Sequence, residues 1–192
     1  EKAKAFSFME RAYNFAKQNR ALGLGALGYH SLLQSKGLPF ESEEAAKLNE
    51  ELFALIRERA DKASAEMAQE YGEPAMLKGR GERHTTKLAI APNTSSAFIL
   101  GQVSQGIEPV WSNCYVKDVA KLKVTIKNPF LKALLAEKGK DEKDVWRSIR
   151  DHDGSVQHLD FLSEDEKATF RTFAEIDQSK IIEQAATRQQ YI

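Results

Sequence analysis

The stretch that most constrains this chain runs from residue 88 to residue 101 and reads LAIAPNTSSAFILG. Four apolar or small residues predict a short buried strand at 88–91, which Pro92 ends. Residues 93–96 are types that favour helix N-termini, and an apolar pattern then resumes until Gly101. A strand, a polar turn and a helix start bring unpaired backbone N–H groups and hydroxyls to one point, which favours an anion. The same pattern is typical of an ordinary helix cap, so alone it leaves both interpretations open.

Three further motifs accompany this stretch along the chain. They are NRALGLGALG at 19–28, QGIEP at 105–109 with WSN shortly after it, and DGSVQHLD at 153–160. Together with the polar turn, these motifs resemble the large, catalytic subunit of class I ribonucleotide reductase, in which they occur in the same order. The resemblance covers nearly the whole chain. It implies that residues 1–192 form a single unit, a partial barrel domain that is incomplete at both ends.

The resemblance also implies the fold class. The family's large subunit is an α/β protein with a ten-stranded α/β barrel, so this chain is expected to be part of that barrel, helix-rich with short strands. Apolar spacing independently predicts helices at 2–17 and 27–35, and Ser42 predicts the start of a long helix. The apolar spacing of that long helix predicts a buried stripe of Leu48, Leu52, Leu55, Arg59, Ala63 and Met67.

The second half of the chain carries strand and capping signals. Weak alternation at 115–119 and β-branched residues at 124–126 predict short strands or extended loops. Helix starts follow from four signals: Asn128 before Pro129, Asp141, the capping box of Ser163 and Glu166, and Asp177. The helix that begins at Ser163 is predicted to run through Phe173.

Composition argues against two kinds of partner. Lys and Arg together number 28, as do Asp and Glu, so no net charge draws the chain to nucleic acid or to a membrane surface. No run approaches the roughly 18 apolar residues that a transmembrane helix needs. The single cysteine, Cys114, excludes an internal disulfide and is typical of a cytoplasmic protein. Residue 1 is Glu, and helical patterns reach both ends, which suggests cuts through a longer protein.

The substrate site is implied by the resemblance. The family's matching loop holds the diphosphate of a ribonucleoside diphosphate, which assigns that role here to Pro92, Asn93, Thr94, Ser95 and Ser96. Hydroxyls and amides suit this task because they donate to phosphate oxygens without burying an opposing charge. Asn93 departs from the family pattern, which often has Thr or Ser at that position.

The resemblance places the reaction itself outside this chain. The family's thiyl-radical chemistry needs a cysteine on a finger loop and a redox-active cysteine pair, which one cysteine cannot supply. We therefore expect Cys114 to be a bystander, no catalytic residue, cofactor or metal in this chain, and an inactive isolated fragment. The parent enzyme would be an allosteric, ATP-binding homodimer. It would need the remainder of the large subunit, a radical-generating, metal-containing small subunit and a dithiol reductant, and would make deoxyribonucleotides for DNA replication.

Other candidate residues have simpler interpretations. Glu108 is interpreted as a structural carboxylate satisfied by neighbouring amides rather than as a general base. His152, between two aspartates, indicates a solvated turn rather than a metal site. The spacing of Gly23, Gly25 and Gly28 matches a dinucleotide-binding fingerprint formally, but is interpreted as a closely packed scaffold segment.

Two alternatives to the reductase interpretation remain open. The chain could be a non-catalytic helical module for structure or interaction, whose polar turn is only a cap. It could also be one half of a split gene that complements a partner chain.

Overall fold

The computed structural model describes residues 2–119 and 122–192, with side chains described for 7–118 and 122–192. Within these ranges the chain is helix-rich with short strands, as predicted, and no helix is both long and apolar enough to cross a membrane. The elements are α1 (Lys2–Asn19), α2 (Tyr29–Ser35), α3 (Glu43–Tyr71), a 3₁₀ helix (Ala75–Leu77), α4 (Thr94–Ile99), β1 (Cys114–Val119), β2 (Leu122–Lys127), α5 (Pro129–Glu137), α6 (Lys143–Asp151), α7 (Glu164–Thr169) and α8 (Gln178–Gln189).

The chain divides into two compact units. The first comprises Glu1–Gly25, Glu51–Ile90 and Arg188–Ile192, and the second comprises Ala26–Glu50 and Ala91–Thr187. All residues of the predicted diphosphate loop belong to the second unit. That residues 1–192 act as one domain stays a prediction.

In the first unit, two extended segments run parallel, at 22–24 and 86–89. The Ala89 N–H donates to the Leu24 carbonyl at 3.1 Å. A Cβ added to Gly23 would lie 3.0 Å from the Ala89 Cβ, so a larger residue would crowd this approach. The close packing predicted for this glycine-rich segment is therefore confirmed at Gly23.

The predicted buried strand at 88–91 is wrong. Its only bridge to the described part of the chain is the parallel one between Leu24 and Leu88, and Ile90 is 45% exposed. A single neighbouring segment pairs with one edge of an extended chain and leaves its faces uncovered. The apolar character of residues 88–91 therefore does not mean that their side chains are buried.

Helix α3 begins where Ser42 predicts, because the Ser42 hydroxyl accepts a backbone N–H three residues later, at 3.1 Å. The predicted buried stripe is wrong, since Leu55 and Met67 are exposed. The buried positions of α3 are Ala45, Asn49, Phe53, Ser64 and Ala68. Two of them are polar and hydrogen-bonded; the Ser64 hydroxyl accepts the His84 N–H at 3.1 Å. The spacing of apolar residues cannot predict a buried helix face that includes hydrogen-bonded polar side chains.

The core of the second unit is an apolar cluster formed by α5, α6 and the segment that follows them. Its fully buried members are Leu131, Leu135, Ile149 and Val156. The start of α5 is as predicted, because the Asn128 side chain accepts the N–H groups of Phe130 and Leu131, at 3.0 and 3.4 Å. A strong local cap and buried apolar side chains thus fix the same helix.

The start of α6 differs from the prediction. Asp141 does not cap this helix; its carboxylate accepts the indole N–H of Trp146 at 2.6 Å, and Glu142 takes the N-cap position. A side-chain donor five residues away has therefore displaced the local capping bond.

The end of α7 also differs. The predicted capping box of Ser163 and Glu166 is present, but the helix ends at Thr169 rather than running through Phe173. The Phe173 N–H instead donates to the Val110 carbonyl at 2.8 Å. A distant backbone acceptor takes the donor that a longer helix would use.

The short strands predicted from β character are present as β1 and β2, and they pair as an antiparallel hairpin. Tyr115 lies opposite Ile126, and Lys117 lies opposite Val124. Since side chains alternate along a strand, these four residues share one face of the hairpin.

Candidate functional site

The predicted diphosphate loop leads into α4, which begins at Thr94. Asn93 takes the N-cap position, but its side chain makes no capping hydrogen bond, contrary to expectation. Among the described residues, the N–H groups of Thr94, Ser95 and Ser96 have no hydrogen-bond partner, and neither do the two serine hydroxyls. All three residues are exposed. The loop therefore offers three amides and two hydroxyls to a ligand.

Gln105 and Gly106 support this loop from later in the chain. The Thr94 hydroxyl donates to Oε1 of Gln105 at 2.9 Å. Gly106 has a φ of +56°, and a Cβ there would lie 3.0 Å from the Ala91 carbonyl oxygen. Only glycine fits both conditions easily. The QGIEP motif therefore helps to set the path by which the chain enters the loop.

A reciprocal serine pair fixes α2 to the segment before this motif. The Ser104 N–H donates to the Ser31 hydroxyl at 2.8 Å, and the Ser31 N–H donates to the Ser104 hydroxyl at 3.1 Å. Both residues are buried. The pair satisfies two backbone donors and anchors the wall of an adjoining cavity.

That cavity has a volume of about 500 Å³, within the range of small-molecule sites. The hairpin supplies one wall through the face that carries Tyr115, and burial raises the pKa of this tyrosine. The residues that line the cavity include Ser31, Thr94, Ser104, Glu108 and Lys117. The cavity thus joins one end of the predicted diphosphate loop to one face of the hairpin.

His30 links the segment after the motif to the rest of the second unit. Its side chain is fully buried, and its Nδ1 accepts the Val110 N–H at 3.0 Å. Burial lowers the pKa of His30 to about 4, against the opposing effect of a hydrogen bond with the Thr169 backbone. The ring is therefore neutral at pH 7 and acts as a structural acceptor rather than as a base.

Cys114 is poorly suited to redox chemistry. It is 3% exposed within the apolar cluster, and burial raises the pKa of its thiol against the opposing charges of Lys127 and Arg150. The thiolate is the reactive form, so burial and a raised pKa both reduce reactivity. This geometry agrees with the interpretation of Cys114 as a packed residue.

Glu108 differs from its predicted environment. Its side chain is exposed and accepts no hydrogen bond from any residue of the described ranges. The interpretation that neighbouring amides satisfy this carboxylate is therefore wrong. Its backbone N–H does close the expected tight turn, donating to the Gln105 carbonyl at 3.1 Å.

The histidines after α6 pack on each other. The rings of His152 and His158 stack with centroids 3.8 Å apart and an interplanar angle of 11°. Burial, followed by the nearby charge of His152, lowers the pKa of His158. Within the described ranges, no group of three or more His, Cys, Asp or Glu side chains is arranged to hold a metal ion.

Gln105, His30 and Lys117 were not identified as site residues by sequence reasoning. The partners of Gln105 and His30 lie 11 and 80 residues away, and no local pattern reports such pairs. Only Lys117 had an available signal, since alternation along the predicted strand places it on the same face as Tyr115.

Comparison with known proteins identifies relatives along nearly the whole chain. The sequence model of the family described as "Ribonucleotide reductase, barrel domain" matches residues 4–77 and 74–192. A ribonucleoside-diphosphate reductase large subunit from Invertebrate iridescent virus 6 is 39% identical over 98% of this chain and 20% of its own length. One from Invertebrate iridescent virus 3 is 40% identical over 96% of this chain and 30% of its own length.

A solved structure gives the same result. The class Id ribonucleotide reductase alpha subunit of Actinobacillus ureae is 50% identical and matches with a TM-score of 0.88, covering 96% of this chain and 34% of that one. The chain therefore spans about a fifth to a third of these relatives. The fold is part of the reductase barrel, as predicted.

Proposed function

Since the chain belongs to the ribonucleotide reductase barrel-domain family, we propose that it supplies the diphosphate-binding part of the substrate site in a ribonucleoside-diphosphate reductase large subunit. Pro92, Asn93, Thr94, Ser95 and Ser96 form the loop that holds the diphosphate. The observation that carries this proposal is that three amides at 94–96 and the hydroxyls of Ser95 and Ser96 have no hydrogen-bond partner in the described part of the chain and are exposed beside the cavity that Thr94 lines.

The chemistry of the loop suits a diphosphate. Phosphate oxygens accept hydrogen bonds from backbone N–H groups and hydroxyls, and such charge-assisted bonds are roughly twice as strong as neutral ones. The loop contains no acidic side chain that would repel the ligand. The relatives named above are ribonucleoside-diphosphate reductases, so a ribonucleoside diphosphate is the proposed substrate.

In this proposal the chain positions the substrate, and other parts of the enzyme carry out the reduction. The family resemblance implies loss of the 2′ hydroxyl through thiyl-radical chemistry, with cysteines supplying the reducing equivalents. Cys114, buried and with a raised thiol pKa, does not serve as such a cysteine. The proposed partners are the remainder of the large subunit, a second copy of that subunit and a radical-generating small subunit.

The test is the affinity of the complete large subunit for CDP. The double variant Ser95→Ala, Ser96→Ala keeps the backbone amides but loses both hydroxyls, so affinity should fall ten- to hundredfold. Ser95→Glu should cost more, because it places negative charge where the phosphate binds.

A matched control is Ser179→Glu, since Ser179 is the second residue of α8 as Ser95 is of α4. Ser179 is exposed and does not line the cavity, so its variant should bind CDP normally. Unchanged CDP affinity in a folded Ser95→Glu subunit would make the loop an ordinary helix cap and favour the helical-module alternative.

A further inference from the structure

Lys117 is a half-buried cation on the cavity face of the hairpin. No carboxylate of the described chain lies within 4 Å of its ammonium group, although many other lysines and arginines have such a partner. An ammonium group that has no carboxylate partner in the described chain can form charge-assisted hydrogen bonds with an anionic ligand. Lys117 is therefore available to a ligand of opposite charge that enters the cavity.

The surroundings of Lys117 direct it toward the cavity. Its side chain lines the cavity wall, and its Nζ lies 4.4 Å from the centroid of the Phe98 ring. Phe98 is in α4, the helix that begins at Thr94. This cation–π contact holds the ammonium group beside the helix that the diphosphate loop opens.

We propose that Lys117 is a further substrate-binding residue, which supplies the positive charge that the diphosphate loop itself lacks. This inference rests on the proposed function of that loop. Residues 92–96 include no Lys or Arg, so their amides and hydroxyls leave most of the diphosphate charge uncompensated. The ammonium group of Lys117, which lines the same cavity, provides a compact charge for a phosphate oxygen.

The other charges near the hairpin do not replace this role. Glu108 also lines the cavity, but it is exposed, so solvent screens its repulsion of the ligand. Asp118 and Lys123 lie opposite each other on the other face of the hairpin. Among the described lining residues, Lys117 is thus the one cation available to an anion in the cavity.

The experiment measures CDP, cytidine and inorganic diphosphate binding to the complete large subunit at low and high salt. Lys117→Met should weaken CDP binding about tenfold or more and leave cytidine binding unchanged. It should also reduce the salt dependence of CDP affinity. Lys117→Arg keeps the charge and should stay within about threefold of wild type. Lys123→Met removes the same charge from the exposed face of the hairpin and should have no effect.

The ligand series separates failure of this inference from failure of the loop proposal. If wild type binds CDP no better than cytidine, the loop proposal fails, and this inference with it. If Ser95→Glu loses CDP affinity but folded Lys117→Met does not, the loop holds the diphosphate and Lys117 has no part in it. Loss of inorganic diphosphate binding in parallel with CDP would assign the effect of Lys117 to the phosphates.

Folding defects do not leave the inference untested. If Lys117→Met loses its cooperative thermal transition, CDP binding is measured for Lys117→Gln instead. The comparison of Lys117→Gln with Lys117→Arg then tests the inference. A folded Lys117→Arg subunit that binds CDP as weakly as Lys117→Gln would overturn the inference, because the charge would then not be what matters.

Discussion

The apolar cluster around α5 and α6 and the cavity face at 92–117 belong to the same compact unit but are built by opposite means. In the cluster, apolar side chains are fully buried and a local cap such as Asn128 satisfies the backbone. At the cavity face, the amides at 94–96 and the hydroxyls of Ser95 and Ser96 have no partner among the described residues, and the loop is held by Gln105 and Gly106 instead. The cluster stabilises the fold, whereas the cavity face keeps polar groups available to a ligand.

The largest expected effect is a loss of stability when Gly154, which packs closely against Ser112 and Asn113, is replaced. This glycine has a φ of +87°, and a Cβ would overlap the Ser112 hydroxyl and lie 2.7 Å from the Asn113 nitrogen. Gly154→Ala should therefore lower the free energy of unfolding by about 3–5 kcal/mol.

Gly139→Ala is the matched control in the same urea titration. Gly139 also has a positive φ, of +66°, but a Cβ there would meet nothing within 4 Å. Only backbone strain of about 1–2 kcal/mol is expected. Equal losses in the two variants would show that the steric contact at Gly154 is unimportant.

His30 connects stability to pH. Its pKa is about 4 in the folded protein against an ordinary value of 6.5, so the folded state binds fewer protons than the unfolded state. Its contribution is fully present above pH 6.5 and is lost as the pH falls toward 4. Between pH 6.5 and 5, wild type should lose about 2 kcal/mol more stability than His30→Gln.

Urea unfolding at several pH values measures this difference. If His30→Gln and wild type lose stability in parallel over this range, burial of His30 does not have the stated consequence.

The smallest expected effect comes from Glu108. Because its carboxylate is exposed at the cavity, Glu108→Gln should strengthen CDP binding by no more than about threefold at low salt, and the gain should fade at high salt. Asp118→Asn, on the other face of the hairpin, should leave affinity unchanged. A loss of turnover beyond tenfold in Glu108→Gln would instead give Glu108 a part in the chemistry.

The sequence predicts a feature of this fold correctly where the groups that bond to each other are close along the chain. The caps at Asn128 and Ser163 are local and were predicted correctly, because the groups that satisfy each other lie within three residues. Asp141 and Phe173 were misread because distant partners outcompete the local bonds. The buried face of α3 was missed because it includes a hydrogen-bonded polar residue, Ser64.

In the candidate site, too, local features could be predicted from the sequence and contacts between distant residues could not. The start of α4 at Thr94 could be read from a run of polar residues after Pro92. The cavity could not, because residues from α2, the QGIEP segment and the hairpin come together only in the folded chain. The role of the loop in substrate binding stays a prediction from the family resemblance.

A crystal structure of the complete large subunit with CDP would show directly whether residues 94–96 hold the diphosphate. We expect diphosphate oxygens within about 3.2 Å of the amide nitrogens of Thr94, Ser95 and Ser96, at hydrogen-bonding geometry. A well-ordered CDP whose diphosphate lies elsewhere, with these amides facing only solvent, would contradict this expectation.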